Sequence, residues 1–231
     1  AMGGYCYLNN AAIAAQALRH GGVQRVGVVD IDYHHGNGTQ AIFWQRDDVF
    51  VTSLHADPHD DYPYLSGHAD EVGEGAGTGF NLNLPLPAGT TAAAYLVALD
   101  VAIDATLAQG CGAVVVSLGV DTFERDPISK FQLASNDYLA IGARLRRMGF
   151  VGATHHADSL PGRARPYADA DNAVHYYDNL VVLYRTTLPA VLFEAGVIKH
   201  RAEELALRDP ERQARMADAI ATGVAACLYV R

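Results

Sequence analysis

The sequence predicts an α/β fold in three layers, with a mainly parallel sheet between two layers of helices. Two observations favour this class: short runs of apolar and β-branched residues, and Ala-rich stretches of helical length that alternate with them. Strands that are apolar along their whole length are typical of parallel sheets that helices cover on both faces. Half of the 231 residues are hydrophobic, so the chain can bury the core of one large domain or two small ones.

The first half of the chain supplies most of these elements. Asn9 or Asn10 is suited to cap a first helix, which is expected to end at about His20, before Gly21 and Gly22. The predicted strands are 25–32, 49–54, 80–84 and 113–118. The predicted helices that lie between them are 39–46 and 90–109. This alternation favours a parallel sheet, because each parallel connection needs a crossover long enough to hold a helix.

The rest of the chain gives fewer signals. A helix is predicted over 136–149 and a short strand over 150–154, and residues 189–198 are typical of a buried strand. A loop over 157–174, rich in Pro, Arg, Asp and Gly, is a candidate domain seam. The polar, glycine-rich connection over 55–79 is long enough to indicate a functional loop. Its glycines precede a strand instead of opening a helix, so they do not match a dinucleotide-binding fingerprint.

Composition argues against several classes of function. The formal net charge is -9 and the sequence pI is about 5.5, which disfavours nonspecific binding to nucleic acid and favours a cationic partner. No apolar run is long enough to cross a membrane and no signal peptide is recognisable, so we expect no membrane partner and a cytoplasmic location. The three cysteines are widely spaced, which indicates neither a disulfide framework nor a cysteine zinc site. A homo-oligomer is compatible with these features.

A cluster of ionisable residues lies at the end of the first predicted strand. Asp30, Asp32, His34 and His35 follow an apolar, β-branched run. Burying even one unpaired ionised group costs several kcal/mol, so such a cluster needs a shared partner, and a metal ion is the simplest one. Side chains alternate along a strand, which would project Asp32 and His34 to the same side.

A third ligand is expected from the strand predicted over 113–118. Asp121 follows that strand, and the carboxyl ends of parallel strands meet at one edge of the sheet. Asp32, His34 and Asp121 would form a three-ligand site with an open position, which suits a catalytic zinc and would also accept iron(II). On spacing alone the alternative remains that Asp32 and His34 cap a helix or pair with each other, while Asp121 lies in an ordinary turn.

Five segments carry a family resemblance. In chain order they are GGYCYLNNAAIAAQAL, VVDIDYHHGNGTQAIFW, VFVTSLHADP, GAGTGFNLNLPLPAG and VVVSLGVDTFERDPISKF. Together they resemble the histone deacetylase superfamily, and most closely its acetylpolyamine deacetylase branch. The resemblance covers residues 1–148 and implies the arginase/deacetylase-like α/β fold without the N-terminal part of the family. It also implies that Asp32, His34 and Asp121 are zinc ligands.

The same resemblance implies a second metal site. Asp30, Ser53 and Leu54, with Asp32 and His34, match the positions that hold a structural potassium ion through main-chain and side-chain oxygens. Oxygen atoms are the ligands that hard cations prefer, so the residue types agree with this role.

The resemblance also implies a substrate tunnel. Gly4, Tyr5 and Tyr62 match its walls, although without the resemblance the two tyrosines would be interpreted as core residues. His35 and Asn37 are expected to orient the metal ligands and not to bind metal themselves.

Two catalytic components of the family have no expected counterpart in this sequence. In the family, a His pair handles the proton of the attacking water and a Tyr stabilises the oxyanion. The His pair lies upstream of the first of the five segments, and the Tyr lies on a glycine-rich turn that this sequence lacks. The resemblance therefore assigns the metal ligands but not the His pair or the Tyr.

Residues 149–231 resemble a different family, the C-terminal end of zinc-dependent N-acetylmuramoyl-L-alanine amidases. This resemblance implies that Glu194 is a catalytic carboxylate. The alternative is that Glu194 caps a turn or pairs with Lys199 or Arg201.

The second segment could also contribute to the metal site of the first. If strand 150–154 enters the sheet beside 113–118, its end brings His155 and His156 to the edge of the metal site, and the last predicted strand would bring Glu194 there. A His can donate a hydrogen bond to an oxyanion and a Glu can act as a general base. These groups are therefore candidates to replace the family's Tyr and His pair.

Three functions remain as expectations. The leading one is a zinc-dependent deacetylase that hydrolyses small N-acetylated amines, such as an acetylpolyamine or acetyl-lysine, with an activity that the missing His pair and Tyr of the family would impair. The alternatives are a cell-wall amidase centred on Glu194 and an inactive metal-binding module.

Overall fold

The computed structural model describes residues 8–148, 151–155, 167–169 and 174–175, together with Pro210, Glu211 and Ala214. Its main sheet contains the strands β1 (Val26–Asp30), β2 (Val49–Ala56), β3 (Asn81–Leu86), β4 (Ala113–Leu118) and β5 (Val151–His155). Their order across the sheet is β3-β2-β1-β4-β5, and every neighbouring pair is parallel. The predicted parallel sheet is confirmed, and β1 lies in its middle.

Among the residues that the structure describes, four α-helices accompany this sheet. They are α1 (Asn10–His20), α2 (Asn37–Phe43), α3 (Ala92–Ala108) and α4 (Asp137–Leu145), the last of which continues into a 3-10 turn at Arg146–Met148. Asn9 caps α1 as predicted, because its side-chain oxygen accepts a hydrogen bond from the amide of Ala12 at 2.8 Å. Thr91 caps α3 through the amide of Ala94.

Two apolar cores, one on each face of the sheet, produce the three predicted layers. The core on the side of α1 and α2 includes Ala11, Ala14, Leu18, Val28, Phe43, Val51 and Val115. The core on the side of α3 and α4 includes Val29, Leu99, Ile103, Val116, Ile141 and Leu145. Val28 and Val29 are neighbours on β1 and enter different cores, as the two-residue period of a strand requires.

The central strand ends two residues earlier than predicted, at Asp30. The carboxylate of Asp30 accepts a hydrogen bond from the amide of Asp32 at 3.1 Å, and the carboxylate of Asp32 accepts one from the amide of His34 at 2.7 Å. Such side-chain to backbone bonds form turns that compete with the hydrogen-bond ladder of a sheet. The expectation that Asp32 and His34 alternate along a strand is therefore wrong, and both residues lie in the loop after β1.

The structure confirms one of the elements predicted after residue 148 and contradicts another in part. The short strand predicted over 150–154 is confirmed as β5, which pairs with β4. The loop predicted over 157–174 is wrong in part, because Tyr167–Asp169 and Val174–His175 form an antiparallel pair, β6 and β7. The strand predicted over 189–198 lies outside the described residues, and the division of the chain at 148 stays a prediction. Within the part of the chain that the structure describes, no helix has the length and apolar character of a membrane span.

Candidate metal centre

Three potential metal ligands meet at the carboxyl edge of the sheet, in the loops after β1 and β4. One ligand atom each from Asp32, His34 and Asp121 lies within 4.8 Å of the others. The amide of Tyr33 donates a hydrogen bond to Asp121 Oδ1 at 2.9 Å, which joins the two loops directly. The structure thus brings together the three residues that the sequence predicts, because adjacent parallel strands end at the same edge.

The loop after β4 approaches these residues so closely that it requires a glycine. A Cβ atom added at Gly119 would lie 2.6 Å from Asp121 Oδ1 and closer still to a carboxylate oxygen of Asp32. Real Cβ atoms do not approach other heavy atoms to such distances, so a side chain here would displace two of the three ligands. Gly119 is a functional residue that was not predicted from the sequence, and its position two residues before Asp121 was the available signal.

The electrostatics of the cluster favour a cation. His34 Nδ1 donates to Asp121 Oδ2 at 2.9 Å and lies 3.4 Å from Asp32 Oδ1. Burial lowers the pKa of His34, but the hydrogen bonds to Asp121 and Asp32 outweigh it and raise that pKa to about 10. Burial and the neighbouring Asp121 raise the pKa of Asp32 to about 6. Two carboxylates held around a protonated imidazole fit a divalent ion, which would take the place of that proton.

Asp30 lies beneath this cluster and is nearly inaccessible to solvent, with 3% of its surface exposed. Its neighbours across the sheet are Ser53 on β2 and Ser117 on β4. Burial raises the pKa of Asp30 well above its ordinary value, and the charge of Asp32 adds to this effect. The buried hydroxyl of Ser117 faces Asp30 and, as a hydrogen-bond donor to that carboxylate, lowers its pKa in part. The surroundings of Asp30 are therefore rich in oxygen atoms.

The hydrogen bonds of Ser53 determine which way its hydroxyl points. His55 Nε2 lies 2.9 Å from the carbonyl of Gly67, and a carbonyl only accepts, so Nε2 carries the proton. Burial, with the nearby His35, lowers the pKa of His55 to about 4, so the ring is neutral and its Nδ1 accepts. The hydroxyl of Ser53, 2.8 Å away, therefore donates to His55 Nδ1. This leaves the lone pairs of Ser53 Oγ available to a cation, and Ser53 is 1% exposed, as the potassium prediction requires.

Tyr62 lies beside His34, one of the three ligands, and is not a core residue. Its side chain is 40% exposed, and its ring centroid is 6.1 Å from that of His34. Gly4 and Tyr5, the other predicted tunnel residues, lie outside the described residues, as do His156 and Glu194. His155 is the last residue of β5 and pairs with Leu118, so its backbone reaches the carboxyl edge as predicted.

His35 contacts the long loop over 57–79 and makes no hydrogen bond to a metal ligand. Its Nε2 donates to Gln40 Oε1 and its Nδ1 accepts from the hydroxyl of Ser66, both at 3.1 Å. These contacts give no direct support to the expected ligand-orienting role of His35, which stays a prediction. No described contact tests that role for Asn37, which is the first residue of α2.

A buried polar network under this loop is a second feature that was not predicted from the sequence. Glu71 Oε2 accepts hydrogen bonds from Gln40 Nε2 at 2.7 Å, from the Gly67 amide at 2.8 Å and from Asn83 Nδ2 at 3.2 Å. Asn81 Nδ2 donates to Gln40 Oε1 at 2.9 Å. The alternation of Asn81 and Asn83 along β3 was the available signal, because it places two amides on one face.

Comparisons with known proteins agree with this geometry. Acetylpolyamine amidohydrolase 2 from Pseudomonas aeruginosa is 55% identical over 150 residues, which are 65% of this chain and 44% of the relative. Acetylpolyamine amidohydrolase from Mycoplana ramosa is 49% identical over 147 residues, 64% of this chain and 43% of the relative. A crystal structure of acetylpolyamine aminohydrolase from Burkholderia pseudomallei superposes with a TM-score of 0.62 at 42% identity, over 65% of this chain and 44% of that one.

The chain spans less than half the length of these relatives. The family described as "Histone deacetylase domain" matches residues 1–157, which is more than half of the chain and ends shortly after the predicted boundary at 148. The chain belongs to the histone deacetylase family.

Proposed function

We propose that this chain carries the metal centre of a zinc-dependent deacetylase that hydrolyses the amide bond of small N-acetylated amines. The observation that carries the proposal is the convergence of Asp32, His34 and Asp121 within 4.8 Å, beside the partly exposed ring of Tyr62. Acetylpolyamines are the favoured substrates, since several relatives are named acetylpolyamine amidohydrolases and the net charge of -9 suits a cationic amine.

The donor set supports zinc, with iron(II) as the alternative. Two carboxylates and one imidazole form a three-ligand site, which leaves one position open for water or substrate. When bound, the metal would act as a Lewis acid on the acetyl carbonyl and on the attacking water. The chain's own contribution is to hold the donors in place: the amide of Tyr33 fixes Asp121, and Gly119 lets the second loop approach.

A potassium ion beneath the zinc site is the second part of the proposal. Its ligands would be Asp30, Ser53 and Leu54, with main-chain oxygens of Asp32 and His34. The burial of Asp30 and the available lone pairs of Ser53 Oγ support this assignment. The role of this ion would be structural, because it compensates a buried carboxylate directly below the two loop residues that hold the zinc.

The remaining site residues are proposed by position. Tyr62 would form one wall of a groove for the aliphatic part of the substrate, and Gly4 and Tyr5 would form another. Glu194 stays a candidate catalytic carboxylate. Small N-acetylated amines fit such a groove, since an aromatic wall packs on methylene groups while the acetyl group reaches the metal.

The test is acetate release by the zinc-loaded chain, with N-acetylputrescine and an acetyl-lysine peptide as substrates. We expect weak release of acetate from N-acetylputrescine, and the loss of this release in the variants H34A and D121A. Zinc bound at one equivalent without acetate release from either substrate would instead identify an inactive metal-binding module. Peptide release from a muramoyl peptide would favour the amidase alternative.

A further inference from the structure

Three segments of the chain meet at the carboxylate of Asp61. Its Oδ1 accepts a hydrogen bond from the amide of Tyr62 at 3.0 Å. Its Oδ2 accepts one from the hydroxyl of Tyr33 at 2.8 Å and forms an ion pair with Lys130 Nζ at 3.0 Å. The carboxylate thus connects the loop that carries Tyr62 with the loop that carries two of the metal ligands.

Tyr33 is a fixed point on the metal-ligand loop. It lies between Asp32 and His34 in the sequence and is 1% exposed. Its amide donates to Asp121, its carbonyl accepts from the amide of Ala56 at 2.8 Å, and its ring packs against Phe131 with a centroid distance of 4.7 Å. Its hydroxyl therefore has a fixed position relative to the metal ligands.

The protonation states of Tyr33 and Asp61 suit a strong hydrogen bond between them. An ionised carboxylate only accepts, so the hydroxyl of Tyr33 is the donor in its hydrogen bond to Asp61. Burial raises the pKa of Asp61, but Lys130 and Tyr33 outweigh it and leave that pKa below its ordinary value. Hydrogen bonds to an ionised acceptor are shorter and stronger than neutral ones.

Tyr62 itself has little else to hold it. Its ring is partly exposed, and its nearest ring neighbours are His34 at 6.1 Å and Tyr64 at 6.4 Å between centroids. Its hydroxyl makes no hydrogen bond with the residues that the structure describes. The position of the ring beside His34 therefore depends on the backbone of Tyr62, and Asp61 holds the backbone amide.

We propose that Asp61 is a positioning residue that ties the groove wall at Tyr62 to the metal-ligand loop through Tyr33. It keeps the ring at a fixed separation from His34 and so determines how tightly the aliphatic part of a ligand is gripped. Its carboxylate makes no hydrogen bond or ion pair with Asp32, His34 or Asp121. The inference rests on the proposed function in one respect, namely that Tyr62 lines the groove.

The test compares two metal-binding probes that differ only in their tail. Acetohydroxamate reaches the metal but has no aliphatic chain, whereas octanohydroxamate also extends along the groove. Binding to the zinc-loaded chain is measured by isothermal titration calorimetry. In the variant D61N we expect the dissociation constant of octanohydroxamate to rise about fivefold to tenfold, and that of acetohydroxamate to stay unchanged.

Two variants control this comparison. D60N removes the same charge from the adjacent position, where the side chain makes no hydrogen bond to the described residues, and it should leave both dissociation constants unchanged. Y33F removes only the hydroxyl partner of Asp61, so it should weaken octanohydroxamate in the same direction as D61N but less. If D61N folds poorly, Y33F still tests whether the contact between Tyr33 and Asp61 positions Tyr62.

The outcomes separate the inference from the proposed function. Equal weakening of both probes by D61N, or no change in either, would overturn the positioning role. Wild-type chain that binds neither zinc nor acetohydroxamate would overturn the proposed function instead. Hydrogen exchange of the metal-free chain then still tests whether Asp61 holds the loop that carries Tyr62. D61N should speed exchange in residues 57–66, and D60N should not. Unchanged exchange in D61N would contradict the positioning role of Asp61.

Discussion

His34 Nδ1 lies 2.9 Å from Asp121 Oδ2, although 87 residues separate them in the sequence. The contact exists because β1 and β4 are neighbours in the sheet, and the loops that follow them meet at its carboxyl edge. The metal site therefore depends on long-range packing, and the contacts that support it can be tested one at a time.

The close approach of Gly119 to Asp32 and Asp121 predicts that G119A impairs metal binding. The added methyl group would displace both carboxylates, so the dissociation constant for zinc should rise on the order of tenfold or more. Competition with a chromophoric chelator measures it. The control is G142A in α4, where an added Cβ meets nothing within 4 Å, and zinc affinity should be kept. Equal zinc affinities in the two variants would contradict the prediction.

The potassium assignment predicts a cation-specific stabilisation. Thermal unfolding in potassium chloride should occur at a higher temperature than in choline chloride of equal ionic strength, because the ion binds only the folded state. S53A should reduce this difference, since it removes a ligand oxygen. S117A, on the other side of Asp30, should preserve the difference in unfolding temperature. The measured quantity is the difference between the unfolding temperatures in the two salts. A general loss of stability in S53A would lower both temperatures and leave this difference unaffected.

The polar network beneath the 57–79 loop predicts a stability cost for E71Q. The glutamine amide can turn its oxygen toward the three N–H donors, but that oxygen carries no charge. The three hydrogen bonds would therefore weaken, and the free energy of unfolding should fall by about 2 kcal/mol. Denaturant unfolding measures it. E74Q is the matched control, because Glu74 accepts a single exposed hydrogen bond from Gln45. A loss in E74Q as large as that in E71Q would argue against a special role for the network.

An ion-pair cluster away from the metal site predicts a pH dependence of stability. Hydrogen bonds from Arg46, and then from Arg19, outweigh burial and lower the pKa of Asp48 from its ordinary value of 3.8 to about 2. The folded state thus favours the ionised form, so the stabilisation is fully present above about pH 4 and is lost as the pH falls towards 2. Its size should be ~1 kcal/mol, since the group is partly solvated.

The measurement for Asp48 is the free energy of unfolding of wild type and D48N as a function of pH. The difference should be largest near neutral pH and should shrink as the pH falls from about 4 to about 2. D47N removes a charge at the next position, where the carboxylate forms no ion pair with the described residues, and serves as the control. A difference for D48N that does not change with pH would contradict the assignment.

The fold class could be predicted from local patterns, whereas the ligand set also required the family resemblance, since spacing alone left an alternative open. Apolar β-branched runs identified the strands, and Asp121 could be placed near Asp32 because parallel strands end together. The end of β1 was predicted wrongly, since the alternation of side chains says nothing about the turns that Asp30 and Asp32 form with the backbone.

The contacts that hold the loops could not be predicted for a different reason. Asp61 and Tyr33 are 28 residues apart, and Glu71 reaches Gln40 across 31. Partners at such separations leave no periodic signal in a single sequence. The hydrogen bond between His35 and Ser66, which are 31 residues apart, illustrates the same limit.

The strand order has a consequence for when the metal site can form. The first two ligands are followed by β2, β3 and α3 before β4 delivers Asp121, and β4 inserts on the other side of β1 from β2. During synthesis, a chain that has reached only residue 112 therefore holds two donors and lacks the third. The complete three-ligand site forms only after β4 has paired with β1, so binding of the ion indicates that this long-range pairing is complete.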